Sequence, residues 1–458
     1  MGSIARGLSD FILEMRGEAL EPLARQRAVD AITDCVGCML AGADEPLAES
    51  LRRALRAAGG TGAAVRAGEA VGGAPLDAAL FNGALAHALD YDDTNHPAYA
   101  HPSAVLVPAL LAAAALEGCS GSEFVTAYVI GFEVFGKLGR AMNTAHYRRG
   151  WHATATFGTL AATAAVARVL RLTRDQTVMA LGIAASSAGG LRANFGSMVK
   201  PLHAGYAARN GVLAAVLAHA GHDASEEAFE HPYGYLELFS GEGGFDPEPL
   251  HSWGRPLEIL TPYGLALKPF PSCGATHTGI EAALTLRAQM GERKPIRIEA
   301  GVSELAFAPL IHVQPHRPLE GKFSLHYCIA AALIEGEVNL GSFRQALIED
   351  PRVAALIEMT QMQADPSVGD GAEFPTRLTI HTEEGGRFSC FVPLAQGKPD
   401  RWFSEDRMRS KFLDCLRAYD ATDAMALFDS LRVMDQPVQL GDKTAWVSRL
   451  KACVRSVP

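Results

Sequence analysis

From Pro22 to about residue 245 the chain runs as one apolar segment after another, each long enough for a helix, with no long apolar/polar alternation of the kind a sheet requires. This feature constrains the fold more than any other. Successive helices of this kind can bury their apolar stripes only against one another, in a layered bundle. The segments are rich in Ala and Gly, so helix axes can approach closely. Start signals agree: Asp44 with Pro46 opens a helix through Ala58, and Ser120 with Glu123 forms a capping-box pattern before FVTAYVIGFEVFGKLGRAM. Thr173 with Gln176 repeats that pattern before VMALGIAASSAGG.

The pattern breaks after Phe245. A Pro- and Gly-rich connection, DPEPLHSWGRPLEILTPYGLALKPFPSCG, leads to two alternating stretches, IRIEAGVSEL and RLTIHTEEGGRFSCFV. The second predicts a hairpin turning at Glu384-Gly385-Gly386, and helical segments His277 to Met290 and Lys322 to Glu335 lie between the two. Helices then return as DRMRSKFLDCLRAY, TDAMALFDSLRVM and TAWVSRLKACVRS. We therefore expect a mainly α protein: a large all-helical domain from residues 1–262 and 396–458, with a smaller α/β domain inserted over 263–395.

The 458 residues, 48% of them hydrophobic, suffice for a large core. With 41 Lys plus Arg against 51 Asp plus Glu, the net charge of -10 argues against a nucleic-acid surface. An anionic ligand would need a local positive pocket, which makes each basic residue near a motif informative. The longest apolar run, Ala104 to Leu116, is interrupted by Pro108 and falls short of the roughly 18 residues of a membrane span. The first turns carry acids and lack the apolar core of a signal peptide, so a cytoplasmic location is expected. Eight scattered cysteines point to reduced thiols; Cys35 and Cys38 sit inside an apolar helical pattern and lack the further ligands of a zinc site. The stretch Gly60 to Val65 mimics a dinucleotide loop without its strand-turn-helix context, so no nucleotide cofactor is expected.

Chemistry concentrates in HALDYDDTNHPAYAHPS, His87 to Ser103, which packs three carboxylates, three histidines and two tyrosines into seventeen residues. Read as the last turns of a helix beginning near Pro75, it places His87, Asp90, Tyr91 and Thr94 on one face. A solvated helix end with a turn at Asn95-His96-Pro97 is the plainer alternative. Further clusters follow. His152 opens an apolar helix in GWHATATFG, just after Tyr147, where an N-terminal dipole favours an anion and a neutral imidazole. Lys200 precedes a helix-starting proline in GLRANFGSMVKPLHAGYAARNG, which also contains Arg192. Lys268, Cys273 and His277 occupy LKPFPSCGATH, and Tyr327 lies in GKFSLHYCIAAAL.

In this order HALDYDDT with HPSA, GWHATATFG, KPLHAG, LKPFPSC with a following His, and GKFSxxY resemble the MmgE/PrpD family. Its members include 2-methylcitrate dehydratase, cis-aconitate decarboxylase and iminodisuccinate epimerase. The resemblance spans roughly residues 10–440 and implies a helical domain formed by both chain ends, an inserted α/β domain and a homodimer. It implies active-site positions at Asp90, Thr94, His101, His152, Lys200, His277 and Tyr327, with no cofactor and no metal. The HPS motif continues as HPSAVLVPA rather than in the dehydratase manner, so the resemblance leaves the substrate open.

These residues suit proton abstraction beside a carboxylate of a small di- or tricarboxylate, which needs a positioned base and cationic or hydrogen-bond donors facing the developing charge. His101 and His152 are the expected acid and base, with Asp90 orienting a histidine. Lys200 and His277 would neutralise substrate carboxylates, Tyr327 would donate a hydrogen bond or carry a proton, and Thr94, Tyr147 and Arg192 would position the substrate. Asp92, Asp93 and His96 are expected to shape the turn or support the site from behind. The expected reaction is a dehydration, followed by epimerisation of the iminodisuccinate type and decarboxylation. A different class is a metal-dependent hydrolase holding zinc or manganese on His87, Asp90, Asp92, Asp93, His96 and His101.

Overall fold

The computed structural model describes residues 3–369, 373–436 and 445–453. They separate into two compact units: Met1–Leu267 with Ser404–Pro458, and Lys268–Phe403. Part of the last expected helix, TAWVSRLKACVRS, lies outside the described residues, which show it as Ala445–Ala452.

The first unit is the helical bundle. Its site-forming elements are α1 (Pro22–Ala41), α2 (Pro75–Ala86), α3 (Ser103–Glu117), α4 (Gly121–Met142), α5 (Ala153–Val169) and α6 (Val199–His219). Nearly every residue of α5 is buried, as is the first three-quarters of α3, so these two form the inner layer rather than an amphipathic rim. Both capping boxes form, Ser120 with Glu123 and Thr173 with Gln176. Cys35 and Cys38 are buried free thiols within α1. Glycine sets the spacing that matters for the site. A Cβ on Gly83 of α2 would lie 2.8 Å from the Cα of Gly205 on α6, so the two backbones meet at the minimum distance. A methyl group there would overpack the contact by roughly 1–3 kcal/mol, and the start of α6 carries Lys200. Among the described residues no helix is long and apolar enough to cross a membrane.

The second unit is a four-stranded sheet with helices. Strands β1 (Pro295–Val302), β2 (Thr360–Ala364), β3 (Thr376–Thr382) and β4 (Arg387–Val392) lie in the order β2-β1-β3-β4. β1 pairs antiparallel with β3, β3 pairs antiparallel with β4 across the expected Glu384-Gly385-Gly386 turn, and β1 pairs parallel with β2. Ile298, Ala300, Val302, Leu378 and Ile380 alternate inward and join one core with the helices α7 (His277–Met290) and α8 (Leu325–Glu335). The protein is thus mainly helical with a small mixed sheet. Strand β2, TQMQA, escaped the sequence reading because it follows a helix without a break and only its Thr360 is buried.

Candidate active site

The His87 to Ser103 stretch is not helical as expected. α2 stops at Ala86, His87 caps it, and Asp90 takes a left-handed φ of 55°, so the chain turns away before Tyr91. Asp tolerates that conformation better than most residues. From there the segment is a loop pinned on several sides. Thr94 pairs backbone to backbone with Ala266, its N–H to the Ala266 carbonyl at 2.8 Å, and Asn95 donates Nδ2 to the Gly264 carbonyl. Buried Lys411, on the C-terminal helix Glu405–Cys415, donates to the Tyr91 carbonyl at 2.8 Å and pairs with Asp34 of α1 at 2.6 Å. Both ends of the chain therefore fix this loop.

The two adjacent acids at its centre are fully buried and do different work. Asp93 receives the Ser103 N–H at 3.0 Å and the Ser103 hydroxyl at 2.8 Å, capping the start of α3, and Ser103 Oγ in turn lies 2.6 Å from the Tyr128 hydroxyl. Burial, with the Asp92 charge adding to it, pushes the Asp93 carboxyl up to about 8. Asp92 lies between two imidazoles: His87 Nδ1 is 3.0 Å from its Oδ2 and His101 Nδ1 is 3.2 Å from the same oxygen. Burial alone would raise the Asp92 carboxyl, but His87 and His101 together outweigh it and hold the group well below the usual carboxylate range. His87 is itself depressed to about 4, mainly by burial and further by His101 and Lys200, against the opposing pull of Asp92.

His101 is where this buried support meets the accessible face. Its ring lies tilted by 53° against that of His87, centroids 4.4 Å apart, while its Nε2 stands 3.8 Å from Asp90 Oδ1. Asp90 in turn accepts a hydrogen bond from Lys200 Nζ at 2.8 Å. The side chains of His101, Asp90 and Lys200 keep 14%, 19% and 21% of their surface exposed, whereas those of His87 and Asp92 keep none. Asp90 is therefore Lys200's ion-pair partner, and the carboxylate closest to a ring nitrogen of His101 is Asp92.

His152 sits at the N-cap of α5, as its sequence position predicted, but its side chain makes no capping bond. Its Nδ1 faces His203 Nδ1 of α6 at 3.0 Å, and its ring centroid lies 6.0 Å from His87 and 4.9 Å from Phe195. Burial first, then the neighbouring His87, Lys200, His203 and His101, push its imidazole well below the ordinary histidine range. It is thus neutral at neutral pH. Around this core runs an aromatic rim: Arg192 lies 3.6 Å over the Tyr147 ring and donates to the Tyr147 carbonyl, and Tyr147 meets Tyr99 edge-on.

The structure thus gathers Asp90, His101, His152 and Lys200 into one cluster, with Tyr147 and Arg192 linked to it through Phe195, which lies 5.8 Å from Arg192 and 5.7 Å from Lys200 Nζ. Thr94 is half-buried in the same loop. The remaining two candidates belong to the second unit. His277 opens α7, buried, with Nε2 at 3.1 Å from the Ser272 carbonyl. Tyr327 on α8 is fully buried in that unit's core and its hydroxyl donates to the Ser342 carbonyl at 2.5 Å. Burial pushes its phenol well above the ordinary tyrosine range.

His87, Asp90, Asp92 and His101 also bring ligand atoms within 4.8 Å of one another, four of the six donors weighed for a metal centre. The donor set fits a divalent ion poorly. Lys200 already supplies a cation to Asp90, its Nζ 2.8 Å from Oδ1. Asp93 is committed to Ser103 instead. From the sequence, His203 indicated only close packing around Lys200 and no chemical role, although its i, i+3 spacing from Lys200 on α6 put it on the same face.

The MmgE/PrpD N-terminal domain matches residues 6–248 and the MmgE/PrpD C-terminal domain matches residues 270–431. The chain is 30% identical over 439 residues to the cis-aconitate decarboxylase-like protein oryM of Aspergillus oryzae, covering 90% of each chain. It is 30% identical over 350 residues to cis-aconitate decarboxylase of Homo sapiens, covering 74% of this chain and 72% of that one. It is 25% identical over 418 residues to 2-methylcitrate dehydratase of Escherichia coli, covering 82% of each. Matched by both domain models, which together take in most of its length, the chain belongs to the MmgE/PrpD family of enzymes.

Proposed function

We propose that this enzyme is a cofactor-independent lyase acting next to a carboxylate of a small tricarboxylate, with decarboxylation of a cis-aconitate-type substrate as the first reading. The observation that carries it is the cluster itself: a cation (Lys200) paired to Asp90, a partly exposed histidine (His101) backed by a buried carboxylate, and a neutral histidine (His152) beside them. Loss of CO₂ breaks a C–C bond and leaves its electron pair on carbon, spread into the adjacent unsaturated carboxylate. Lys200 and a neutral imidazole N–H are suited to receive that charge, and a protonated histidine to return a proton to carbon. His101 is the proton carrier in this reading and His152 the hydrogen-bond donor. Thr94, Tyr147 and Arg192 position the substrate, and Tyr327 is a packing residue because its hydroxyl already serves Ser342.

The stronger match to decarboxylases supports placing this reaction ahead of dehydration, which the sequence alone put first. Dehydration of a 2-methylcitrate-type substrate is the second reading, supported by the E. coli relative, with the same histidine protonating a departing hydroxyl. Epimerisation stands third, since it requires proton donors on both faces of one carbon. The reading includes a homodimer in the cytoplasm, which light scattering of the purified protein and fractionation of cells would check. The activity test incubates the protein with cis-aconitate, citrate, 2-methylcitrate and iminodisuccinate separately and follows each by NMR. Loss of CO₂ from cis-aconitate supports the first reading, loss of water from 2-methylcitrate the second, and no change in any of the four overturns both.

A further inference from the structure

Asp92 has no assigned part in catalysis, yet it faces two imidazoles at once. Its side chain has no exposed surface, so it cannot touch a substrate. His87 Nδ1 lies 3.0 Å and His101 Nδ1 3.2 Å from the same Oδ2 atom. The His87 contact is a hydrogen bond, and a carboxylate can only accept, so that imidazole presents Nδ1–H; the charge contact of His101 Nδ1 at 3.2 Å favours a proton on the same nitrogen. For His101 this leaves Nε2 as the nitrogen on the partly exposed side, next to Asp90 and Lys200.

We propose that Asp92 is a positioning residue: it locks His101 in the Nδ1–H tautomer with Nε2 turned to the substrate, and His87 holds Asp92 in place from its buried side. The inference rests on His101 being the proton carrier. When Nε2 takes a proton from solvent water, the imidazolium forms with Nδ1–H already facing a buried negative charge, and passing that proton to the carbon left by CO₂ restores the neutral ring. No other group need move. His87 fits the supporting part because its side chain is fully buried and its Nδ1 faces Asp92 rather than solvent. Asp93, one residue on, cannot substitute, since both its oxygens are engaged by Ser103.

The test reads the tautomer directly. In the full-length protein labelled with ¹⁵N-histidine, the imidazole signal absent from H101Q identifies His101. The expected pattern is a protonated Nδ1 and an unprotonated Nε2 in wild type, lost in D92N. An Nε2–H tautomer in wild type, or a spectrum unmoved by D92N, overturns the proposal. In kinetics D92N should lower kcat on the order of 10²-fold or more while KM stays within about threefold, the split expected when geometry rather than binding is lost; equal kcat overturns it. If D92N does not fold, the wild-type tautomer still decides. If wild type turns over no polycarboxylate, the proposed function fails while the tautomer still reports on Asp92.

Discussion

Asp92 and Asp93 are neighbours in sequence and equally buried, yet one side of their loop is built from imidazoles and the other from hydroxyls and a helix start. The histidine side keeps Asp92 ionised, and the hydroxyl side lets Asp93 rise to about 8 and hold a proton at neutral pH. The difference teaches that burial alone does not assign a role to a carboxylate: the donors around it decide whether it supports chemistry or structure. The accessible trio of Asp90, His101 and Lys200 stands on the histidine side.

Changes on the two sides should therefore separate activity from stability. The largest effect is expected for His101→Gln, which should reduce turnover by about 10²–10⁴-fold with a melting temperature close to wild type; near-normal turnover would remove His101 from proton transfer. Lys200→Met should follow, lowering kcat/KM by roughly 10–100-fold, the worth of a charged hydrogen bond. An unchanged kcat/KM would mean that Lys200 serves only Asp90.

On the hydroxyl side, Asp93→Ala should cost about 1–3 kcal/mol in denaturant unfolding, through the unsatisfied Ser103 donors, with turnover within about threefold. Its pH dependence carries a sign. Because the folded Asp93 holds a proton that the unfolded chain releases near its ordinary value of about 4, its stabilising contribution is full at low pH and declines as pH rises from about 4 to about 8. Asp93→Asn should remove that slope, so its stability relative to wild type should improve between pH 5 and pH 8 (test values, ~3 units apart). A constant difference across that range would contradict the protonated state of Asp93. The smallest effect is expected for Tyr327→Phe, which removes one hydrogen bond worth about 1 kcal/mol and leaves turnover within about twofold. A large loss of activity would return Tyr327 to the catalytic set.

The helical bundle was legible because apolar period and capping boxes are local signals, and the hairpin of β3 and β4 because its glycine turn is local too. Strand β2 was not, since its pairing with β1 is a long-range contact that TQMQA does not advertise. In the site, the residue types at Asp90, His101, His152 and Lys200 were readable as motifs. Their pairing was not: the expected helical face dissolved at Asp90, whose left-handed backbone depends on how the loop is held by Ala266, Gly264 and Lys411. With that turn, Asp90 pairs with Lys200 at 2.8 Å, and Asp92 is the carboxylate nearer to a ring nitrogen of His101, at 3.2 Å against 3.8 Å for Asp90.

The central claim is that His101 carries the proton to a carbon left bearing negative charge beside a carboxylate. The most direct measurement follows cis-aconitate in D₂O by NMR with wild type and H101Q. Wild type should release CO₂ and yield a product with one deuteron on the accepting carbon, and H101Q should form this product at least about 10²-fold more slowly. Equal rates in the two proteins, or CO₂ loss without deuterium on carbon, would contradict it.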